Sequence, residues 1–149
     1  MALVAPVVIS GVISLWVTAS DMALADTGRE AANYIQEKTR GESHAVWFEG
    51  HWGFQYYMEL LGAHPLEAEV HGCRFGDLAV IPTYNTSIFT FPLRTTAEQS
   101  VDFEVHSWLA TMNPDAGGGF YFSGWGPLPF AFAPVPKQRY YMARVVQEK

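Results

Sequence analysis

Apolar and polar positions are distributed unevenly along the chain. From Ala2 to Ala19 there is no charged residue, and the first ionisable side chain is Asp21. Eighteen helical residues extend about 27 Å, close to the ~30 Å hydrocarbon core of a bilayer. The run extends to Leu24, with Trp16 placed as an interfacial indole. The pattern predicts a transmembrane helix over residues 1–25. Ala23-Leu24-Ala25 also has the small-x-small form of a signal-peptide cleavage site, which keeps a cleaved leader open.

Beyond it, residues 26–149 read as one small extracytoplasmic α/β domain. Ala25, Ala31, Ala32 and Ile35 recur at helical spacing among Arg29, Glu30, Glu37 and Lys38, predicting an amphipathic helix over Asp26–Lys38 with Asp26 or Thr27 as its cap. Ala45–Glu49 reads as a buried strand. Phe54, Tyr57, Met58 and Leu61 form one helical stripe up to Gly62, and Asp77–Ile81 is a second strand closed by Pro82. Strand, helix, strand is the βαβ pattern and implies parallel pairing. A short strand is expected around Ala68 to Val70. The alternation from Phe103 to Leu109 predicts a half-exposed strand. Phe120–Phe122 and Tyr140–Val146 read as closing strands, with a turn at Asn113–Gly119. Gly124–Pro136 reads as an ordered loop packed by its own rings. The expected architecture is an apolar helix followed by a small three-layer-like domain with a βαβ unit and a mixed sheet.

Composition narrows the function classes. Charged residues make up 16% of the chain and the net charge is −6, with no Lys/Arg cluster, which argues against a nucleic-acid partner. The single cysteine, Cys73, leaves no internal disulfide. His44, His51, His64 and His71 lack the i, i+4 spacing of a helical ligand pair, so no metal is expected. No Gly-x-Ser-x-Gly elbow is present. Gly117-Gly118-Gly119 lacks the Lys-Ser/Thr of a nucleotide loop, and no cofactor is expected. The nearest positive residue after the apolar run is Arg29, then Lys38 and Arg40, with Asp21, Asp26 and Glu30 among them, as on a translocated flank. The expected location is therefore the inner (cytoplasmic) membrane, with the folded part on the extracytoplasmic side.

Ligands of open α/β sheets gather beyond the carboxyl ends of the strands. Two such ends are visible, Glu49-Gly50-His51-Trp52-Gly53 and Pro82-Thr83-Tyr84-Asn85. Glu49 is the candidate acid or base and His51 the candidate proton carrier. Trp52, Tyr84 and Trp125 offer flat faces to a sugar or lipid, with Asn85 beside them. The structural alternative is that the glycines only permit turns, that His51 caps the helix, and that Trp52 only packs.

Four segments taken together carry a family resemblance: Ala25-Asp26 with Arg29-Glu30-Ala31-Ala32; Gly50 to Glu59, reading Gly-His-Trp-Gly-Phe-Gln-Tyr-Tyr-Met-Glu; Gly76 to Pro82; and Gly124 to Phe130. They resemble the C-terminal region of multi-spanning membrane glycosyltransferases similar to the protein mannosyltransferases and aminoarabinose transferases, which use a polyprenyl-phosphate sugar. The resemblance covers most of the chain, and the Gly50–Tyr57 run is its most specific part. It implies that Ala2–Leu24 matches a last transmembrane helix and that the partners are the membrane, a polyprenyl-phosphate sugar, or the remaining membrane part of such an enzyme. The family's many membrane helices and its acidic residue in an early external loop are not in this sequence, so no catalytic position carries over. The expectation is a terminal or accessory domain with little activity alone. The rivals are a carbohydrate- or lipid-binding module and, more remotely, a small hydrolase built on Glu49 and His51.

Overall fold

The computed structural model describes residues 4–66, 72–86, 88, 94–96 and 99–146. Its elements are α1 (Val4–Thr39), β1 (Val46–Phe48), α2 (Trp52–Leu60), β2 (His64–Pro65), β3 (Leu78–Pro82), β4 (Gln99–Phe103), β5 (Leu109–Ala110), β6 (Met112–Asn113), β7 (Gly118–Gly119), β8 (Ala131–Phe132) and β9 (Gln138–Arg144), with 3-10 turns at Pro114–Ala116 and Ser123–Trp125. The fold is α/β. The polypeptide divides into two units. Residues 1–26 and 104–137 form a loop unit, and residues 27–103 and 138–149 a sheet unit.

The two N-terminal helices expected from the pattern are one helix of 36 residues. Nothing between Leu24 and Thr27 interrupts it: Ala23, Leu24 and Ala25 are good helix formers, and neither Pro nor Gly occurs between Gly11 and Gly28. The expected cap at Asp26 or Thr27 is thus replaced by continuous helix. Thr27 is buried and its side chain hydrogen-bonds Tyr140. Ala25, expected in the apolar stripe, is exposed; Gly28, Ala31, Ala32 and Ile35 face inward.

In the sheet unit five strands run in the order β2-β1-β3-β9-β4. β1 is parallel to both β2 and β3, and β9 is antiparallel to β3 and β4. The βαβ unit is therefore present as read: β1, α2 and β3, with Val46 opposite Leu78 and Phe48 opposite Val80. Register puts Phe48, Leu78, Val80, Met142 and Tyr140 on one face. They share a core with Ala31, Ala32 and Ile35 of α1 and Phe54 and Met58 of α2. Gly28 lets α2 approach closely, since a Cβ there would sit 3.3 Å from the Phe54 amide nitrogen. The two-residue β2 escaped the sequence reading because His64-Pro65 carries no β-type pattern. The strand expected at Ala68–Val70 lies outside the described residues, as does His71.

The strand expected from Phe103 to Leu109 is displaced. β4 ends at Phe103, opposite Gln138. One step further along, the β9 side runs into Lys137 and Pro136, and proline has no N–H for a ladder. Residues 104–107 leave the sheet and enter the loop unit. Phe120–Phe122, expected as a strand, is a bend with all three rings exposed. The chain spends its pairing on the β6–β7 hairpin just before, and the Trp125 amide bonds the Phe122 carbonyl in the following 3-10 turn. The rings of Gly124–Pro136 do not pack mainly on each other. Trp125 meets Phe122, and Phe132 meets Trp16 and Trp108.

The apolar part of α1 is exposed all round. Val7, Ile9, Val12 and Leu15 are each more than half exposed, and this stretch is long and apolar enough to cross a membrane. Where polarity resumes, the helix binds the loop unit. Asp21 accepts the Thr111 amide at 3.1 Å and its hydroxyl at 2.8 Å, and the Ser20 and Ser107 hydroxyls pair. Leu24 then packs with Val105, Ala110 and Val135.

Candidate functional site

Parallel pairing of β1 and β3 brings the two strand ends to one edge. The Glu49 amide continues the ladder to the Val80 carbonyl at 3.0 Å. Gly50 then turns at φ 103° with no room for a side chain: a Cβ would lie 3.0 Å from Pro82 Cγ and Asn85 Cγ. Asn85 ties the edge together. Its Oδ1 accepts the His51 amide at 2.8 Å and the Thr86 amide at 2.7 Å, and its Nδ2 donates to the His51 carbonyl at 3.4 Å. Asn85 thus acts here as a clamp between the strand ends.

Glu49 is buried and His51 is exposed. His51 occupies the N-cap position of α2 without capping it through its side chain. Its Nδ1 instead pairs with Gln55 Oε1 at 2.9 Å, and Gln55 Nε2 donates to Glu59 at 2.7 Å. This relay runs along one exposed helix face at i, i+4 spacing. Trp52 has φ 60°, the one positive value among described residues other than glycine, and its ring is 42% exposed. Left-handed backbone costs an L-residue about 1–2 kcal/mol. Tyr84 is half-buried in the sheet unit, whereas Trp125 belongs to the loop unit. The structure therefore brings Glu49, His51, Trp52, Tyr84 and Asn85 into neighbouring turns of one unit and assigns Trp125 to the other.

A polar centre the sequence reading missed is Asp77, which is buried. Its carboxylate accepts the Ala45 amide at 3.0 Å, the Trp47 indole N–H at 2.9 Å and the Arg74 amide at 2.9 Å. It locks the entry to β1 against the entry to β3, opposite the candidate edge. Its signal was only an aspartate before a strand. Nearby Cys73 is a poor nucleophile: burial, reinforced by the Asp77 charge, pushes its thiol up to about 11. Burial likewise raises Tyr140 to about 12, against a smaller opposing effect of its Thr27 hydrogen bond.

A cleft of about 180 Å3 opens elsewhere in the sheet unit, lined by Ile35, Gln36, Thr39, His44, Met58 and Leu61 among others, and none of the edge residues lines it. Among the described residues no three His, Cys, Asp or Glu side chains gather as a metal site. The edge itself offers a hydrogen-bonding relay, two fixed main-chain turns and a partly exposed indole. No family model, curated protein or solved structure matches this chain.

Proposed function

We propose that the chain is an extracytoplasmic terminal or accessory domain of a lipid-linked-sugar glycosyltransferase, held at the inner (cytoplasmic) membrane by the first part of α1. In this reading it shapes the donor or acceptor site through the edge around His51 and Tyr84 and performs little transfer alone. The observation that carries the proposal is where the Gly50–Tyr57 run falls. The segment with the most specific resemblance begins at the strand-end edge and includes its Gly50 turn, strained Trp52 and His51–Gln55 hydrogen bond. The apolar helix supports the membrane part.

The test is transfer from a polyprenyl-phosphate sugar to an acceptor, measured with the purified chain alone and with membranes from its source. The chain alone is expected to be inactive, while membranes lacking it lose activity that the chain restores. Sugar transfer by the single chain refutes the accessory role. Recovery of the intact chain from the soluble cytosolic fraction refutes the location. A second reading, a carbohydrate- or lipid-headgroup-binding module, is favoured by the exposed Trp52. It predicts binding to such ligands without any effect of the chain on membrane transferase activity.

A further inference from the structure

The loop unit carries more large apolar surface than it can bury. Its core consists of Leu24, Val105, Ala110 and Val135, with Met112 packed against them. Outside that core Trp108, Phe120, Phe122, Phe130 and Phe132 remain 42–67% exposed. Between Leu109 and Pro136 the sequence holds one charged residue, Asp115. Ordinary usage would place about seven in a stretch of that length. A loop facing only water has no reason to combine bare rings with so little charge.

The position of these rings indicates what covers them. Phe132 stands edge-on to Trp16 with centroids 5.8 Å apart, and Trp108 lies 6.2 Å from Phe132. Trp16 is in the apolar stretch of α1, five residues before the first ionisable side chain, or about 7.5 Å along the axis. The Asp21–Thr111 and Ser20–Ser107 hydrogen bonds fasten the loop unit at that same level. Trp108 and Phe132 are therefore continuous with the helix surface that is apolar enough to cross a bilayer, and Phe122 and Phe130 lie exposed in the same unit.

We infer that Trp108, Phe122, Phe130 and Phe132 form an interfacial anchor that enters the headgroup–acyl boundary of the bilayer crossed by α1. Trp collects in that layer, and Phe on an apolar face buries into the headgroup–acyl boundary. Residues 104–137 contain Glu104, Asp115 and Lys137 as their only charged side chains, so they offer no cationic patch for anionic lipid. The contact is hydrophobic, forms on neutral phosphatidylcholine, and is insensitive to salt. The inference rests on α1 crossing the membrane and is independent of sugar transfer.

The test uses the full chain with Cys73→Ser and one nitroxide-labelled cysteine, at Phe122 or Phe130, reconstituted in phosphatidylcholine vesicles. Labels at Val12 and Glu37 mark lipid and water. Collision with oxygen, which concentrates in lipid, is compared with collision with a water-soluble nickel chelate. The expected oxygen-to-nickel ratio at Phe122 and Phe130 is several-fold above that at Glu37, below that at Val12, and unchanged by salt. Quenching of the unlabelled chain by brominated phosphatidylcholine is expected to fall in Trp108→Phe. A ratio at Phe122 and Phe130 equal to that at Glu37 overturns the anchor while leaving the membrane helix standing. Exclusion of both reagents, in vesicles and detergent alike, means a protein covers the rings and also overturns it. Water-like collision at Val12 removes the membrane helix and the anchor together.

Discussion

In the sheet unit Phe48, Ile35 and Met58 are withdrawn to 2% exposure or less, whereas in the loop unit Phe120 and Phe132 keep about two-thirds of their surface. Both units are rich in apolar side chains, so hydrophobicity alone does not decide burial. The sheet unit has ladders that satisfy its backbone and an alternation that sends every second side chain to one face. The loop unit orders itself through main-chain contacts between glycines: a Cβ on Gly119 would lie 2.3 Å from the Gly126 carbonyl oxygen. Its backbone is packed while its rings are left over. A fold can thus be well defined without consuming its apolar surface, and the surplus is available for another phase.

Ring truncation breaks or sustains this contrast most directly. Phe48→Ala in the sheet unit is expected to cost about 3–5 kcal/mol. Phe122→Ala, at 45% exposure in the loop unit, should change stability by no more than about 1 kcal/mol. Thermal unfolding in mild detergent, followed by near-ultraviolet circular dichroism, measures both. Equal losses would mean that Phe122 is a core residue and that the contrast is false.

Glycine substitution probes the other half of the comparison. At Gly126 the backbone has φ 141°, and a Cβ would meet Gly117 Cα at 2.4 Å. Gly126→Ala is expected to lose more than about 2 kcal/mol. Gly53 lies in α2 with nothing within 4 Å of a new Cβ, so Gly53→Ala should gain up to about 1 kcal/mol. Similar effects at the two positions would show that close main-chain contact does not hold the loop unit together.

Each unit also has an aspartate that gathers backbone and side-chain donors. Asp77 takes three hydrogen bonds while buried, and Asp21 takes two from Thr111. Hydrogen bonds to a charged group each contribute roughly 1.5–3 kcal/mol. Asp77→Asn should therefore cost about 2 kcal/mol and Asp21→Asn about 1 kcal/mol, read in the same melts. A reversed order would place the stronger polar lock in the loop unit.

Legibility in the sequence followed the same division. The βαβ unit was readable because β1, α2 and β3 each have their own period and end at glycine or proline. Parallel pairing then brought the Gly50 and Asn85 turns to one edge. The loop unit was misread at Phe103–Leu109 and Phe120–Phe122. Alternation at Phe103–Leu109 was real, but a strand also needs a partner with free N–H groups, and Pro134 and Pro136 supply none; at Phe120–Phe122 the pairing goes to the preceding β6–β7 hairpin. The continuous α1 was missed because a change from apolar to amphipathic composition was read as a boundary, although no helix-breaking residue marks one. Within the candidate site, glycine positions were legible. The Asn85 clamp and the Trp52 backbone strain depend on contacts 34 residues apart and on φ, neither of which has a local signature.

The smallest expected stability effect is at Trp52, which the sheet unit leaves exposed along with Tyr56, Leu60 and Phe75. Its large ring is 42% exposed and its backbone is held at φ 60°. Trp52→Gly relieves about 1–2 kcal/mol of left-handed strain and adds up to about 1 kcal/mol of helix entropy cost. Together with the loss of a part-buried ring, the change should stay within about 1 kcal/mol. Binding of a short-chain polyprenyl phosphate, followed by calorimetry, should nevertheless fall markedly if the partly exposed indole serves the edge. A loss of more than about 2 kcal/mol would make Trp52 an ordinary packing residue. Unchanged binding with unchanged stability would move recognition away from the indole, to the His51–Gln55–Glu59 relay.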